Sequence, residues 1–395
     1  MKSRWGFQSS SPSTFGLLPH HNKYSADWVE KAQITDMTIA ELDGLELAAP
    51  ADFHVHLRDG AMMELVTPTL RPGGVDTVYV MPNLIPPITT VDHALDYKRR
   101  LQAIEPNVTF LMSLYLHPSI TPETIKEAKA AGVTGVKSYP AGVTTNSSSG
   151  VVSYEQFYPV FEEMQTQDMV LNLHGEVPST KGSDITVLNA EESFLPTLKD
   201  LHRRFPKLRI ILEHCTSAAA VEAVKSCGPT VSATLTAHHL SLIVDDWAGD
   251  PHCFCKPVAK TPQDRKVLLQ TAISGNPKFF FGSDSAPHPA TSKRADKVSA
   301  GVFTQPNVVG IVLDALDQAV RDGLLKDDEI KVDHVQGFLS GYGRAFYGSV
   351  AASKGAKVRL RKAGAQIRSN LVAKDASFEV VPFRRGQTTW AIEWL

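Results

Sequence analysis

From residue 45 onward, short apolar runs alternate with longer amphipathic stretches, as in βαβ units wound around a parallel sheet. The runs at 47–56, 75–81, 108–115, 135–139, 169–174, 208–214, 230–235 and 278–284 predict eight strands. Eight units predict an α/β fold of the closed (β/α)8 barrel type. An open doubly wound sheet accommodates the same alternation. Between the strands, Thr121-Pro122 opens a helix with a side-chain cap and a proline at its first position, and Ala131-Gly132 closes it. Thr261-Pro262 opens another that ends at Gly275, and Ser153 with Gln156 predicts a capping box.

Polar residues interrupt this pattern at one recurring place. His54 and His56 end the first run, Asn83 follows the second, Lys137 lies on the fourth, His174 ends the fifth, His214 the sixth and Asp284 the eighth. Barrel enzymes build their sites on that rim from several strands, which favours the closed barrel. Across 52–59, strand alternation sends His54 and His56 to one face with Asp52 and Arg58, and Phe53, Val55 and Leu57 to the other. Two imidazoles at i, i+2 can fill adjacent positions around one metal ion. His174 and His214 each read, alone, as hydrogen-bonded core histidines; beside His54 and His56 they read as ligands. Asp284 can cap the next turn, ligate, or take a proton from metal-bound water. Lys137 is either a snorkelling lysine at the barrel mouth or, as a carbamate, an anionic bridge between two metal ions.

Composition changes the picture little. A chain of 395 residues with 43% hydrophobic and 21% charged residues can bury a single large barrel with additions. A net charge of -2 gives no global attraction to nucleic acid or to an anionic membrane, and no apolar run approaches the roughly 20 residues of a membrane helix. The cysteines, Cys215, Cys227, Cys253 and Cys255, are not spaced as a disulfide framework, which fits a reducing compartment. Cys253 and Cys255 lack a second pair to complete a zinc tetrahedron. Residues 1–36 are polar, with no acid before Asp27, and are expected to form a disordered tail rather than a targeting signal. The barrel is expected over 37–347 and a C-terminal extension packed on it over 348–395. The extension's Lys354, Lys357, Arg359, Arg361, Lys362 and Arg368 read as an exposed charged face, since no aromatic residues interleave them for base stacking.

The motifs His54-Val55-His56-Leu57-Arg58-Asp59-Gly60, Met81-Pro82-Asn83-Leu84, Val136-Lys137-Ser138-Tyr139-Pro140, His174-Gly175-Glu176, Glu213-His214 and Gly282-Ser283-Asp284-Ser285-Ala286-Pro287-His288 occur in this order. Together they resemble the dihydroorotase family of the amidohydrolase superfamily, in its shorter monofunctional fungal and bacterial type. The resemblance runs from about residue 38 to 347. It implies zinc-dependent, reversible cyclisation of N-carbamoyl-L-aspartate to L-dihydroorotate with loss of water, a step of de novo pyrimidine (UMP) biosynthesis, in a cytoplasmic homodimer. It further implies two Zn2+ per subunit, one held by His54, His56 and Asp284 and one by His174 and His214, with N6-carboxylated Lys137 as the bridge. Asp284 would act as general base and acid. Arg58, Asn83 and His288 would bind the substrate carboxylate, the backbone near Ala300 would contact the same ligand, and Thr144 and Thr145 would cover it from the loop 141–146. Lys256 stands where bacterial members commonly carry an apolar residue that touches the ring through its backbone. A hydantoinase-like cyclic amidase would share the zinc residues without needing the carboxylate set. A non-catalytic barrel scaffold would be indicated by a lost ligand, and none is missing.

Overall fold

The computed structural model describes residues 42–351 and 355–395, so the tail expected at 1–36 lies outside the described residues. The run predicted as one first strand is two. Pro50, which has no N–H for a ladder, separates β1 (Glu46–Ala48) from β2 (Ala51–Val55), and the two belong to different sheets. From β2 the chain continues through β3 (Thr77–Val80), β4 (Thr109–Tyr115), β5 (Gly135–Ser138), β6 (Val170–Leu173), β7 (Arg209–Leu212), β8 (Val231–Leu235) and β9 (Phe279–Phe281). These eight strands pair in parallel and in chain order. The ring closes at its rim, where Asp284 N donates to His54 O (2.8 Å) and His56 N donates to Ser285 O (3.0 Å). The predicted eight-stranded barrel is therefore the observed fold.

The helices Pro122–Ala130 and Pro262–Ala272 start at the expected caps, Thr121 and Thr261. Ser153 differs: the chain there forms a 3-10 turn, Glu155–Phe157, and the helix proper is Tyr158–Thr166. The last strand also stops earlier than its apolar run predicts. At Gly282 a Cβ would meet the Thr234 side chain at 2.8 Å and His54 Cβ at 3.0 Å, so the chain passes the first strand closely before turning at Asp284. Among the described residues no helix is long and apolar enough to cross a membrane.

Two apolar layers hold the barrel. The outer layer joins strand residues such as Val55, Val80 and Leu212 to helix residues such as Tyr97, Leu198 and Val312. The inner one contains Ala51, Phe53, Tyr79, Ile211, Phe280 and Tyr347. Phe53 stacks on Tyr347 with ring centroids 5.0 Å apart, whereas Val55 and Leu57 belong to the outer layer. Strict alternation across 52–59 therefore fails. The register of β2 against β3 shifts between Asp52 and Val55, and this irregularity brings both Phe53 and His54 to the interior. Asp52 is not in line with the histidines. It accepts from Ser283 N (2.7 Å), Ser283 Oγ (2.6 Å) and Gln305 Nε2 (2.5 Å), pinning the first strand to the chain beyond the last.

Below the inner layer, Arg344 donates to Thr77 Oγ1 (2.9 Å), Ala49 O (3.0 Å) and Ala351 O (2.7 Å), and pairs with Asp76. In the extension, β10 (Lys357–Gln366) lies between β1 and β13 (Thr388–Trp394), antiparallel to both, and β11 (Leu371–Val372) pairs with β12 (Glu379–Val380). Trp394 Nε1 donates to Arg71 O (2.8 Å), tying the end of the chain to the loop before β3. Of the basic face expected there, Arg359 pairs with Glu46, Arg361 with Glu393 and Lys362 with Asp317, while Lys354 lies outside the described residues.

The Asp76–Arg344 pair is nearly dry, with side chains 2% and 10% exposed. Asp76→Ala would leave the guanidinium uncompensated, at a cost of about 3–5 kcal/mol. Denaturant unfolding is expected to show that loss, while kinetic constants of the folded fraction stay close to the parent values.

Candidate active site

His54 and His56 reach the rim from the end of β2, and Asp284 reaches it from just past β9. His54 Nδ1 lies 2.9 Å from Glu213 Oε2 and its Nε2 lies 3.3 Å from Asp284 Oδ1. His56 repeats this arrangement, with Nδ1 2.8 Å from Asn83 Oδ1 and Nε2 3.1 Å from the same Asp284 oxygen. Asn83 Nδ2 donates to Thr145 O (3.0 Å), which orients the amide so that Oδ1 accepts from His56. Glu213, whose pKa is lowered despite its burial, is an acceptor as well. Each histidine thus donates through Nδ1 and turns the Nε2 lone pair toward Asp284. Burial, followed for His56 by the nearby Arg58 charge, lowers the pKa of both rings and keeps them neutral. Three acceptor atoms therefore face one another, an arrangement that a cation between them satisfies.

Lys137, His174 and His214 form the other side. Lys137 is fully buried, and its Nζ lies 5.1 Å from the Tyr139 ring centroid with no hydrogen-bond partner among the described residues. Burial pulls its pKa down to about 8, against the opposing pull of Glu213 and Asp284. His174 Nε2 is 2.8 Å from Glu176 Oε2, leaving Nδ1 buried and without a protein partner. His214 Nδ1 is likewise buried and unpartnered, and burial holds that ring well below the usual histidine range. The His214 ring centroid lies 4.7 Å from that of His174 and 5.0 Å from that of His54. Buried imidazole nitrogens beside a buried lysine form a donor set that fits metal ions, and an amine whose pKa is lowered toward neutrality fits carbamate formation.

A small cavity opens above these groups. His54, His56, Arg58, Asn83, Thr144, Thr145, His174, His214, Lys256, Asp284 and Ala300 all line it. Of the residues singled out in the sequence, Lys137 is absent from this lining, and His288 meets the site through its neighbours. Arg58 Nε donates to Pro287 O (3.0 Å), and Arg58 Nη2 is 3.2 Å from His288 Nε2, which is 2.9 Å from Ala300 O. The loop lies against the site through Thr145 Oγ1 to Ala300 O (3.3 Å) and Asn146 Nδ2 to Asn83 O (2.9 Å). Lys256 Nζ donates to Val143 O (2.9 Å), so its charge is directed to the loop backbone.

Sequence reasoning assigned no role to Glu213, Glu176 or Asn172. Asn172 Nδ2 donates to Glu213 Oε1 (2.6 Å) and to Tyr347 Oη (2.8 Å), and Tyr79 Oη donates to Asn172 Oδ1 (2.8 Å). The signal was an asparagine inside the apolar run 169–174. His238, His239 and Cys255 form a further buried group with metal-ligand spacing. There, His239 Nε2 donates to Pro257 O (3.0 Å) and the Cys255 thiol faces the same carbonyl at 3.2 Å, so two of the three are engaged with backbone.

No family model matches the chain. A protein of Schizosaccharomyces pombe named "Probable dihydroorotase" is 52% identical over 351 residues, covering 89% of this chain and 99% of the relative. The dihydroorotase of Saccharomyces cerevisiae is 45% identical over 369 residues, covering 89% and 98%. The crystal structure of dihydroorotase from Saccharomyces cerevisiae in complex with 5-fluoroorotic acid superposes with a TM-score of 0.82 at 45% identity, covering 89% of this chain and 98% of that one.

The Glu213 contact generates a test of the metal reading. Glu213→Ala removes the acceptor that sets the His54 tautomer, and metal affinity is expected to fall about 10–100-fold. Competition against a chromogenic chelator would measure it; unchanged affinity would mean that Glu213 does not orient a ligand.

Proposed function

Because the chain belongs to the dihydroorotase family, we propose that its rim cluster is a two-metal site at which Asp284 moves the proton of the reaction. The reaction is the reversible cyclisation of N-carbamoyl-L-aspartate to L-dihydroorotate, which in reverse is hydrolysis of a cyclic amide. The observation that carries the reading is the convergence of His54 Nε2 and His56 Nε2 on Asp284 Oδ1, all three acceptors. His54, His56 and Asp284 would hold one zinc ion, His174 and His214 a second, and carboxylated Lys137 would bridge them. Zinc held by these residues would supply Lewis acidity, which makes water a nucleophile near neutral pH and activates an amide carbonyl.

The remaining steps belong to the protein. Asp284 faces both imidazoles through Oδ1, and burial raises its pKa, opposed first by His54. Its carboxylate takes the proton of the attacking water and delivers it to the leaving ring nitrogen. In the biosynthetic direction it takes the proton of the ureido nitrogen. Arg58 has its plane fixed by Pro287 O, so its remaining N–H groups offer a rigid fork to the substrate carboxylate. His288 Nε2 faces both Arg58 and Ala300 O, and a neutral ring can donate to one or accept from the other. A carboxylate beside both side chains accepts from each and removes that conflict. Thr144 and Thr145 line the cavity, and in this reading they close over the substrate to exclude bulk water.

The same reading takes 37–347 as the catalytic unit and 348–395 as its extension, in a cytoplasmic homodimer. The four cysteines are free of disulfides, in keeping with a reducing compartment.

Steady-state kinetics on N-carbamoyl-L-aspartate separate the roles. Arg58→Lys is expected to raise KM about tenfold or more with a smaller change in kcat, while Asp284→Ala is expected to lower kcat by about 10²–10⁴. Parent-like kinetics for Asp284→Ala would end the proton-transfer proposal. For Lys137, protein exchanged into 13C-bicarbonate is expected to show a carbamate carbon resonance that is absent from Lys137→Ala. No such resonance in the metal-loaded parent would remove the carbamate bridge.

A further inference from the structure

Lys293 is a buried lysine that the chemistry above does not use. It lies at the end of the 3-10 turn Ala290–Lys293, is 3% exposed, and takes no part in lining the cavity. Its Nζ donates to Phe254 O (3.0 Å), Ser299 O (2.9 Å) and Gly301 O (2.7 Å), which uses all three ammonium protons. These acceptors are not arbitrary. Ser299 and Gly301 flank Ala300, whose own carbonyl is left to meet His288 Nε2 (2.9 Å) and Thr145 Oγ1 (3.3 Å). Phe254 lies two residues before Lys256, which itself lines another side of the cavity, and Gly301 N donates to Phe254 O at 3.0 Å. Gly301 itself has φ +154°, and a Cβ there would meet Ala286 O at 2.5 Å, so the segment has little room to shift.

We propose that Lys293 is a positioning residue for substrate binding: by holding the carbonyls on either side of Ala300 and that of Phe254, it turns the Ala300 carbonyl to the site and sets the spacing of the two backbone walls. It touches neither substrate nor metal. The proposal rests on the cavity being the substrate site. A wall displaced by a fraction of an ångström weakens binding of the ring and its carboxylate more than it alters the proton transfer at Asp284.

A second lysine supplies the control. Lys278 Nζ also donates to three carbonyls, Val224 O (2.5 Å), Cys227 O (2.7 Å) and Gly228 O (3.1 Å), none of which lines the cavity. The experiment compares the zinc-loaded full chain with Lys293→Met, Lys293→Arg and Lys278→Met, reading KM and kcat on N-carbamoyl-L-aspartate and hydrogen exchange of the 299–302 segment. For Lys293→Met the expected result is a KM raised about tenfold or more, kcat within about threefold, and faster exchange at 299–302. Lys293→Arg is expected to lie between the parent and the Met variant in KM. Lys278→Met is expected to lose thermal stability and keep KM within about twofold of the parent. Should Lys293→Met fail to fold, the Arg variant decides alone, through a KM above that of the parent at retained kcat. A parent-like KM for the Lys293 variants, or an equal rise for Lys278→Met, would overturn the positioning role. If the parent itself does not convert N-carbamoyl-L-aspartate, the substrate reading fails separately. Hydrogen exchange then judges Lys293: parent-like exchange at 299–302 in its Met variant would refute it.

Discussion

The rim of this barrel depends on a conflict among acceptors. His54 and His56 each spend their only proton on a fixed partner, Glu213 or Asn83, and direct a lone pair at Asp284 Oδ1. Burial lowers the pKa of both rings and so disfavours relief by uptake of a proton. A cation relieves it. His174 Nδ1 and His214 Nδ1, buried and without a hydrogen-bond partner among the described residues, pose a similar demand close by, with the Lys137 amine buried beside them. A buried polar group left unmatched costs of order 1–3 kcal/mol, so several at one place mark a site organised for what binds there rather than for stability.

The backbone supports this at a cost of its own. Arg58, His214 and Asp284 have φ of 61°, 43° and 46°, the left-handed region that non-glycine residues seldom adopt. All three lie just beyond the strand ends, where the side chain must turn into the cavity as the chain leaves the sheet. Closure of the ring occurs at this level too, through Asp284 N to His54 O, so the contact that completes the barrel also brings two ligand-bearing segments together. Below it, Asn172 links the aromatic floor to Glu213 and hence to His54. Fold and site therefore share a continuous chain of hydrogen bonds.

The eight-unit barrel was legible because each strand is an apolar run with helical stretches between, and the site because polar residues end six of those runs. The register shift at Phe53-His54 was not, since it depends on how β2 pairs with β3 rather than on the local pattern. Nor was the break at Pro50, whose consequence is that β1 pairs with a strand more than 300 residues away. Glu213 stood next to His214 in a quoted motif, yet its role follows from geometry alone, because the ring it orients is 159 residues distant in sequence. Lys293 carried no signal at all in a polar loop, since only the folded chain shows where its three acceptors lie.

The most direct test of this account is conversion of N-carbamoyl-L-aspartate to dihydroorotate by the purified protein, followed by ultraviolet absorbance before chelation, after it, and after zinc is restored. Activity that disappears on chelation and returns with zinc is the expected result. Turnover that persists in protein shown to be free of metal would contradict the claim that a cation resolves the meeting of His54, His56 and Asp284.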